Sequence, residues 1–156
     1  MFDGVRRAYM LQILYVMNAI EELGSDKALE ILEKSSERQG VIIARNMKKT
    51  LPEGMTSLKI GAEVYRRFMS DAGAEISVHK QDETSVTFVI NRCPFFEAFL
   101  DVGVDCGMFL NGLCTHLTLP SIQATLSQFD PRLKVEPVLT REAAEDLCLE
   151  RVYLSD

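Results

Sequence analysis

Four cysteines are the residues of this chain with the clearest capacity for chemistry. Cys93, Cys114 and Cys148 lie far apart in the sequence, and Cys106 lies eight residues before Cys114. Thiolates bind zinc and other soft or borderline metals, so three of them brought together by a fold can form a metal site. The chain has no C-x-x-C pair, which excludes zinc-ribbon, thioredoxin-like and ferredoxin motifs. The alternative is that the cysteines only pack, because free cysteine is among the most buried residue types.

A histidine and an acidic cluster supply groups that can move protons. His116 follows Cys114 by two residues, and on extended backbone this spacing puts both side chains on one face. His116 is then an additional metal ligand or a general base. Asp146, in the acidic cluster before Cys148, is a second candidate for proton transfer or metal binding. A structural histidine and a solvated acidic loop are the alternatives for these two residues.

Aromatic and basic residues around the cysteines indicate how a small molecule could be held. Phenylalanines and a methionine in the middle of the chain predict an apolar ligand pocket between helices and sheet. Arg92, directly before Cys93, is the best-placed partner for an anionic substrate such as a carboxylate. Ordinary core packing and a solvated strand end are the alternatives. The candidate pocket residues are Phe95, Phe99, Met108 and Phe109.

The hydrophobic periodicity predicts which elements position these residues. Apolar residues recur at three- and four-residue steps in three N-terminal segments, which is typical of amphipathic helices. The first helix ends at Leu23, the second is stopped by Pro52, and the third runs to Gly73. Gly40 is expected to weaken or bend the second helix.

The period changes after the third helix, and alternation predicts a β-hairpin over 76–90 with its turn at 81–84. Further helices follow, with Pro94 at the first turn of one and Gly103 at its end. No internal repeat or linker is visible. We therefore predict one α+β domain over residues 1–156, with one antiparallel sheet packed against helices. The later segments are helices near 105–114 and 120–129 and strands at 133–138 and 147–154.

Composition narrows the class of protein and its partners. The 156 residues are 47% hydrophobic and 26% charged, which is typical of a globular protein and excludes disorder. Seventeen basic against 23 acidic residues give a net charge of −6, which argues against nucleic acid as a partner. No apolar stretch is long enough to cross a membrane and no secretory signal is present, so we expect a cytoplasmic protein. The first helix, with Tyr9, Tyr15 and Met17, predicts a homodimer face.

Segments from nearly the whole chain resemble one known family. AIEELGSDKALEILEKS, NRCPFFEAFLDVG and LCTHLTLPSIQATLSQFD are similar to the L-2-amino-thiazoline-4-carboxylic acid hydrolase family. In that family a Cys-Pro after a strand, a middle cysteine and a cysteine on the closing strand occur in this order, and Cys93, Cys114 and Cys148 occupy those places. The chain departs from the family at 145–147, which is Glu-Asp-Leu where members often carry Gly-Asp before the last cysteine.

The resemblance implies hydrolysis of a small cyclic amidine or amide, of the thiazoline carboxylate type, at a cysteine-lined zinc site. If Cys93, Cys114 and Cys148 hold zinc, an open fourth position activates water, and His116 or Asp146 moves the proton. Alternatively, His116 completes a closed structural site. A third alternative has no metal, and a cysteine of low pKa beside His116 is a nucleophile or redox sensor.

The order of elements is also similar to that of vinyl-reductase-like ligand-binding domains. In those domains, helices and an antiparallel sheet enclose a small molecule beside a cysteine-rich zinc site. This second similarity implies a non-catalytic module that binds or senses a small molecule, with a structural metal or none. The residues leave the enzyme and the binding module open as alternatives.

Overall fold

The computed structural model describes the backbone of residues 2–103, 107–143 and 145–156, and their side chains except at positions 2, 107, 108, 110 and 111. These residues form helices, a hairpin, further helices and two late strands, in the predicted order. None of the described helices is long and apolar enough to span a membrane. The helices are α1 (Phe2–Leu23), α2 (Ser25–Met47), α3 (Ser57–Asp71), α4 (Pro94–Val102), α5 (Gly107–His116) and α6 (Thr118–Ser127), and the strands are β1 (Glu75–Gln81), β2 (Ser85–Arg92), β3 (Leu133–Leu139) and β4 (Cys148–Leu154).

The four strands form one antiparallel sheet in the order β1-β2-β4-β3, which confirms the predicted architecture. In the central pair, Phe88 lies opposite Glu150 and Ile90 lies opposite Cys148. Alternate residues of a strand share a face, so Cys148, Glu150 and Val152 all lie on one face of β4. Phe88, Ile90 and Val152 on that face are buried. Glu150 is therefore an acidic residue on the apolar face of the sheet.

Two groups of buried apolar residues hold the elements together. Burying a large apolar side chain contributes about 1.5–3 kcal/mol, so each group is a substantial source of stability. Cys93 is the one described residue that packs against both groups. The sheet cluster comprises Met47, Leu58, Val64, Tyr65, Phe68, Met69, Val86, Phe88, Ile90, Ile122, Leu126, Leu133 and Val152. The helix cluster comprises Ile13, Val16, Phe95, Phe96, Ala98, Phe99, Leu113 and Leu117.

The connection from β2 into α4 places Cys93 between the two clusters. Cys93 has an extended backbone and is the residue that precedes the first turn of α4, where Pro94 fits because its missing N–H would have no helical partner. Gly103 ends the helix with a φ of 77°, a left-handed conformation that glycine adopts without steric cost. Both ends of α4 agree with the sequence prediction.

Helix α1 packs one side into the helix cluster. Of the residues predicted to form a dimer face, Tyr9 and Met17 pack against this cluster. Tyr15 lies on the opposite side and is 73% exposed, as is its neighbour Leu11 at 71%. The predicted face is therefore divided between the inside of the protein and its surface.

Helix α2 continues through Gly40 to Met47 and packs against α6 at this glycine. A Cβ atom at Gly40 would lie 2.3 Å from the backbone oxygen of Ser121 and 2.8 Å from the Cβ of Ala124. The hydroxyl of Thr125 donates a hydrogen bond of 3.1 Å to the Gly40 carbonyl across the same contact. Gly40 thus permits a close approach of two helices, whereas its sequence context predicted a weak or bent helix.

We expect Gly40→Ala to lower the free energy of unfolding by about 1–3 kcal/mol, because overpacking at the α2–α6 contact outweighs a gain of about 1 kcal/mol in helix propensity. Urea denaturation measures the change. Gly4→Ala is the matched control, since Gly4 is an exposed helical residue with no neighbour within 4 Å of an added Cβ. Equal stabilities for the two variants would contradict the close approach.

Candidate functional site

A small cavity lies where the sheet cluster meets the helix cluster, with a free volume of about 50 Å³. We call it the cysteine cavity, because three cysteines from distant parts of the chain line it. Most of the remaining wall is apolar, with contributions from α1, α3, α4 and β2. The polar or sulfur-bearing residues on the wall are Tyr9, Cys93, Cys114, Thr118, Cys148 and Glu150.

Three different elements bring the cysteines to this cavity. Cys93 lies at the β2–α4 junction, Cys114 lies on α5, and Cys148 begins β4 opposite Ile90. All three are free thiols. Each is half-buried, because part of its surface faces the cavity. The structure thus brings together the three cysteines that the sequence singled out, while Cys106 lies outside the described residues.

Burial keeps two of these thiols protonated at neutral pH. Burial raises the pKa of Cys93 to about 11, and the neighbouring Cys148 adds to this effect, although backbone N–H groups of α4 oppose it. Burial likewise raises the pKa of Cys114 well above its usual range. A nucleophilic or redox-sensing cysteine needs a lowered pKa. The environment of Cys93 and Cys114 therefore raises the thiol pKa, whereas the hypothesis of a nucleophilic or redox-sensing cysteine requires a lowered one.

His116 lies away from the cysteine cavity, and the predicted pairing with Cys114 is wrong. Both residues belong to α5, where a two-residue step turns the chain by roughly 200°, so their side chains leave the helix on different sides. The Nδ1 atom of His116 lies 2.9 Å from a carboxylate oxygen of Glu33 on α2. The prediction failed because it assumed extended backbone, whereas α5 continues to His116.

Asp146 also lies outside the cavity. It is exposed, and its Oδ2 atom accepts hydrogen bonds from the backbone N–H groups of Glu142 and Ala143 at 3.1 and 2.9 Å. These contacts hold the turn that precedes β4. The Asp146 carboxylate therefore binds backbone N–H groups of this turn and does not line the cysteine cavity.

Arg92 is held by carboxylates near the start of α4. Its Nε atom donates to Glu97 at 2.7 Å, and its Nη1 atom lies 3.9 Å from a carboxylate oxygen of Glu75. Arg92 is not among the described residues that line the cysteine cavity. Its role in binding an anionic substrate stays a prediction.

The predicted aromatic pocket residues divide into two layers. Phe95 lines the cavity, and the ring of Tyr9 contacts it edge to face with centroids 5.3 Å apart. Phe99 lies behind Phe95, with centroids 5.1 Å apart, and Phe109 lies behind Phe99 at 5.7 Å. The side chain of Met108 lies outside the described part of the structure.

Glu150 and Tyr65 are site residues that the sequence analysis missed. The Tyr65 hydroxyl donates a hydrogen bond of 2.6 Å to Oε2 of Glu150. Burial raises the pKa of Glu150, and the bond from Tyr65 opposes that rise only in part. The pKa of Tyr65 is also raised well above its usual range, chiefly by burial, so Tyr65 keeps the proton it donates. A signal was present, since Glu150 alternates with Cys148 and Val152 on one face of a strand.

Arg141 is a third residue close to the cysteines that the sequence did not indicate. It is only 5% exposed, its Nη2 atom donates to the carbonyl of Ile90 at 2.6 Å, and its guanidinium lies 4.9 Å from the ring centroid of Phe96. Its positive charge opposes the rise in pKa of both Cys93 and Cys114. Arg141 follows a strand in a polar segment, where the local sequence does not distinguish it from a solvated loop residue.

The predicted zinc site has no ligand set in the described part of the chain. No group of three or more His, Cys, Asp or Glu side chains among these residues is arranged to hold a metal ion. Zinc binding by Cys93, Cys114 and Cys148 stays a prediction.

We expect the stability of Glu150→Gln, relative to the unaltered chain, to increase between pH 4 and pH 7. A raised pKa means that folded Glu150 keeps its proton at a pH where the unfolded chain has lost it, so the unaltered chain loses stability as pH rises above about 4.3. Glutamine does not titrate. Urea denaturation at several pH values measures the difference, and Glu37→Gln on exposed α2 controls for the loss of one charge. If the stability of Glu150→Gln relative to the unaltered chain decreased as the pH rises, a raised pKa of Glu150 would be contradicted.

We expect Cys93 and Cys114 to react slowly with iodoacetamide in the folded protein. With a pKa of about 11, the thiolate of Cys93 is roughly 300-fold scarcer at pH 7.5 than that of an ordinary cysteine. Peptide mapping by mass spectrometry follows each thiol separately, and the chain unfolded in guanidinium chloride provides the reference rate. Alkylation at the reference rate in the folded protein would show that the two thiols are neither buried nor protonated.

Comparison with known proteins gives information about the fold. No family model matches the chain, and no curated protein matches it. The resemblance to the thiazoline carboxylate hydrolases therefore gains no support. The phenol-responsive sensory domain of the transcription activator PoxR, in complex with phenol, is similar in structure, with a TM-score of 0.66 and 12% identity over 94% of this chain and 74% of that chain.

A second solved structure is similar over almost the whole of both chains. Trafficking protein particle complex subunit 3 from Naegleria fowleri, covalently bound to palmitic acid, has a TM-score of 0.62 and 15% identity over 96% of each chain. Identities this low establish likeness of fold alone. The chain thus has an α+β fold that is similar to those of two proteins whose structures hold a small molecule, which agrees with the second resemblance in element order.

Proposed function

We propose that this chain is a small-molecule-binding module, and that the cysteine cavity holds an uncharged, mostly apolar molecule with a hydroxyl group, of the phenol type. The observation that carries the proposal is the composition of the cavity wall. Apolar residues and thiols form most of it, and Glu150 is the one carboxyl group among the described lining residues. An apolar pocket with a few placed polar groups is typical of ligand sites.

The charge of the wall favours a neutral ligand over an anion. None of the described lining residues is Lys, Arg or His, whereas Glu150 supplies a carboxyl group. A carboxylate ligand would lose its hydration without gaining a cationic partner, which is costly in an enclosed site. Arg141 lies nearby, but it is not among the described lining residues, and its Nη2 atom donates to the Ile90 carbonyl. The wall therefore disfavours the thiazoline carboxylate that the hydrolase resemblance implied.

Glu150 provides the polar recognition in this proposal. Tyr65 donates to Oε2, and a carboxyl group has further acceptor positions for a second donor. A ligand hydroxyl can donate to one of them. A hydrogen bond between neutral groups contributes about 0.5–1.5 kcal/mol, and this range applies here because the raised pKa of Glu150 favours its uncharged form. A phenol therefore has an advantage over an aromatic molecule of the same size without the hydroxyl.

Ligand binding requires the cavity to expand. Its 50 Å³ is about a third of the roughly 150 Å³ that holds benzene in an engineered apolar cavity. Met69 lines the cavity, and its unbranched side chain has three rotatable bonds that allow it to move aside. We therefore propose that the ligand displaces Met69 as it binds.

The two similar structures support a small molecule as the occupant of this fold. One of them is in complex with phenol, and the other is covalently bound to palmitic acid. A covalent acyl bond to this chain would need a reactive thiolate, whereas the pKa values of Cys93 and Cys114 are raised by burial. At Cys93 and Cys114, reversible binding of a phenol-type molecule is accordingly favoured over acylation.

Calorimetric titration with phenol, toluene and benzoate at pH 7 tests the proposal. We expect phenol to bind more tightly than toluene, because toluene lacks the hydroxyl, and we expect benzoate to bind weakest because it is charged. Glu150→Leu removes the acceptor, so it should weaken phenol binding by up to about tenfold and should leave toluene binding unchanged. Asp146→Asn, outside the cavity, is the control. Benzoate binding as tightly as phenol would overturn the proposal.

A further inference from the structure

A second pocket lies beside the cysteine cavity, between α1, α2 and α3. We call it the outer pocket; its volume is about 380 Å³. Its exposed rim includes the polar residues Gln39 and Asp71, and its buried floor includes Met47 and Phe68. The outer pocket therefore opens to solvent and becomes apolar toward the protein interior.

Tyr9 and Ala72 line both the outer pocket and the cysteine cavity. Of these two shared residues, Tyr9 has the larger side chain. It contacts Phe95 edge to face on the cavity side, and no hydrogen bond to the described residues anchors its hydroxyl. The ring can therefore rotate without breaking a hydrogen bond to the described residues.

We propose that the outer pocket binds the apolar tail of the ligand and that the Tyr9 ring is the gate between this pocket and the cysteine cavity. The inference rests on the proposed function of the cysteine cavity. Rotation of the ring joins the two spaces into one of several hundred Å³, within the range of about 300–1,000 Å³ that ligand pockets occupy. The cysteine cavity by itself is far below that range.

The joined space specifies a class of ligand. Its inner end presents the Glu150 carboxyl group to a hydroxyl, and its outer part presents the aliphatic residues Val5 and Ile43 together with Phe68. The described lining residues of the outer pocket also include no Lys, Arg or His. The ligand is therefore an uncharged, elongated molecule with a hydroxyl-bearing ring at one end and an alkyl chain at the other.

Binding of phenol and 4-hexylphenol to the full chain tests this inference. We expect 4-hexylphenol to bind more tightly, by about fourfold for each methylene group that the outer pocket buries. Ala8→Phe is the first variant, because Ala8 is exposed on α1 and lines only the outer pocket. Filling the outer pocket in this way should remove the advantage of 4-hexylphenol and leave the equilibrium affinity for phenol unchanged.

Tyr9→Ala and Tyr9→Phe test the gate by stopped-flow association of phenol. Tyr9→Ala should increase the association rate at least several-fold, whereas Tyr9→Phe keeps the ring and should leave the rate nearly unchanged. If phenol binds but 4-hexylphenol has no advantage and Ala8→Phe has no effect, the outer pocket and its gate are wrong while the cysteine cavity stands. If neither phenol nor 4-hexylphenol binds, the proposed function itself fails.

Discussion

A carboxyl group on the apolar face of a sheet needs a hydrogen-bond donor, and Tyr65 supplies that donor to Glu150. The Tyr65 ring stacks on Phe88, the residue opposite Glu150 in the sheet, with centroids 4.5 Å apart. This arrangement joins α3 to the central strand pair through apolar and polar contacts at once. It also keeps a polar group at the boundary of the sheet cluster, where that cluster meets the helix cluster at Cys93.

The boundary between the two clusters explains why distant cysteines meet in one place. A cysteine is small and apolar enough to pack at an imperfect junction, and its thiol there loses the hydration that a thiolate needs. The same convergence in the sequence was compatible with a metal site, a nucleophile or a cavity. The local environment bears on the nucleophile alternative, because burial raises the pKa values of Cys93 and Cys114.

The order of elements could be predicted from the sequence because hydrophobic periodicity and helix ends are local properties. Pro94 and Gly103, for example, define the ends of α4 through backbone preferences that need no tertiary information. The environment of Glu150 depends on which strand lies beside β4 and which helix covers the sheet, and neither is a local property. The Cys114–His116 pairing failed for a related reason: the same two-residue spacing has opposite meanings in a strand and in a helix, and α5 ends later than its sequence indicated.

The cysteine cavity has a consequence for the mechanical behaviour of the protein. A void of 50 Å³ per molecule corresponds to about 30 mL per mole, within the range of about 20–100 mL per mole by which proteins contract on unfolding. Unfolding removes this void and lets water reach its apolar walls, so hydrostatic pressure favours the unfolded chain. A molecule that fills the void removes part of this volume difference, and the occupied protein is then less compressible than the empty one.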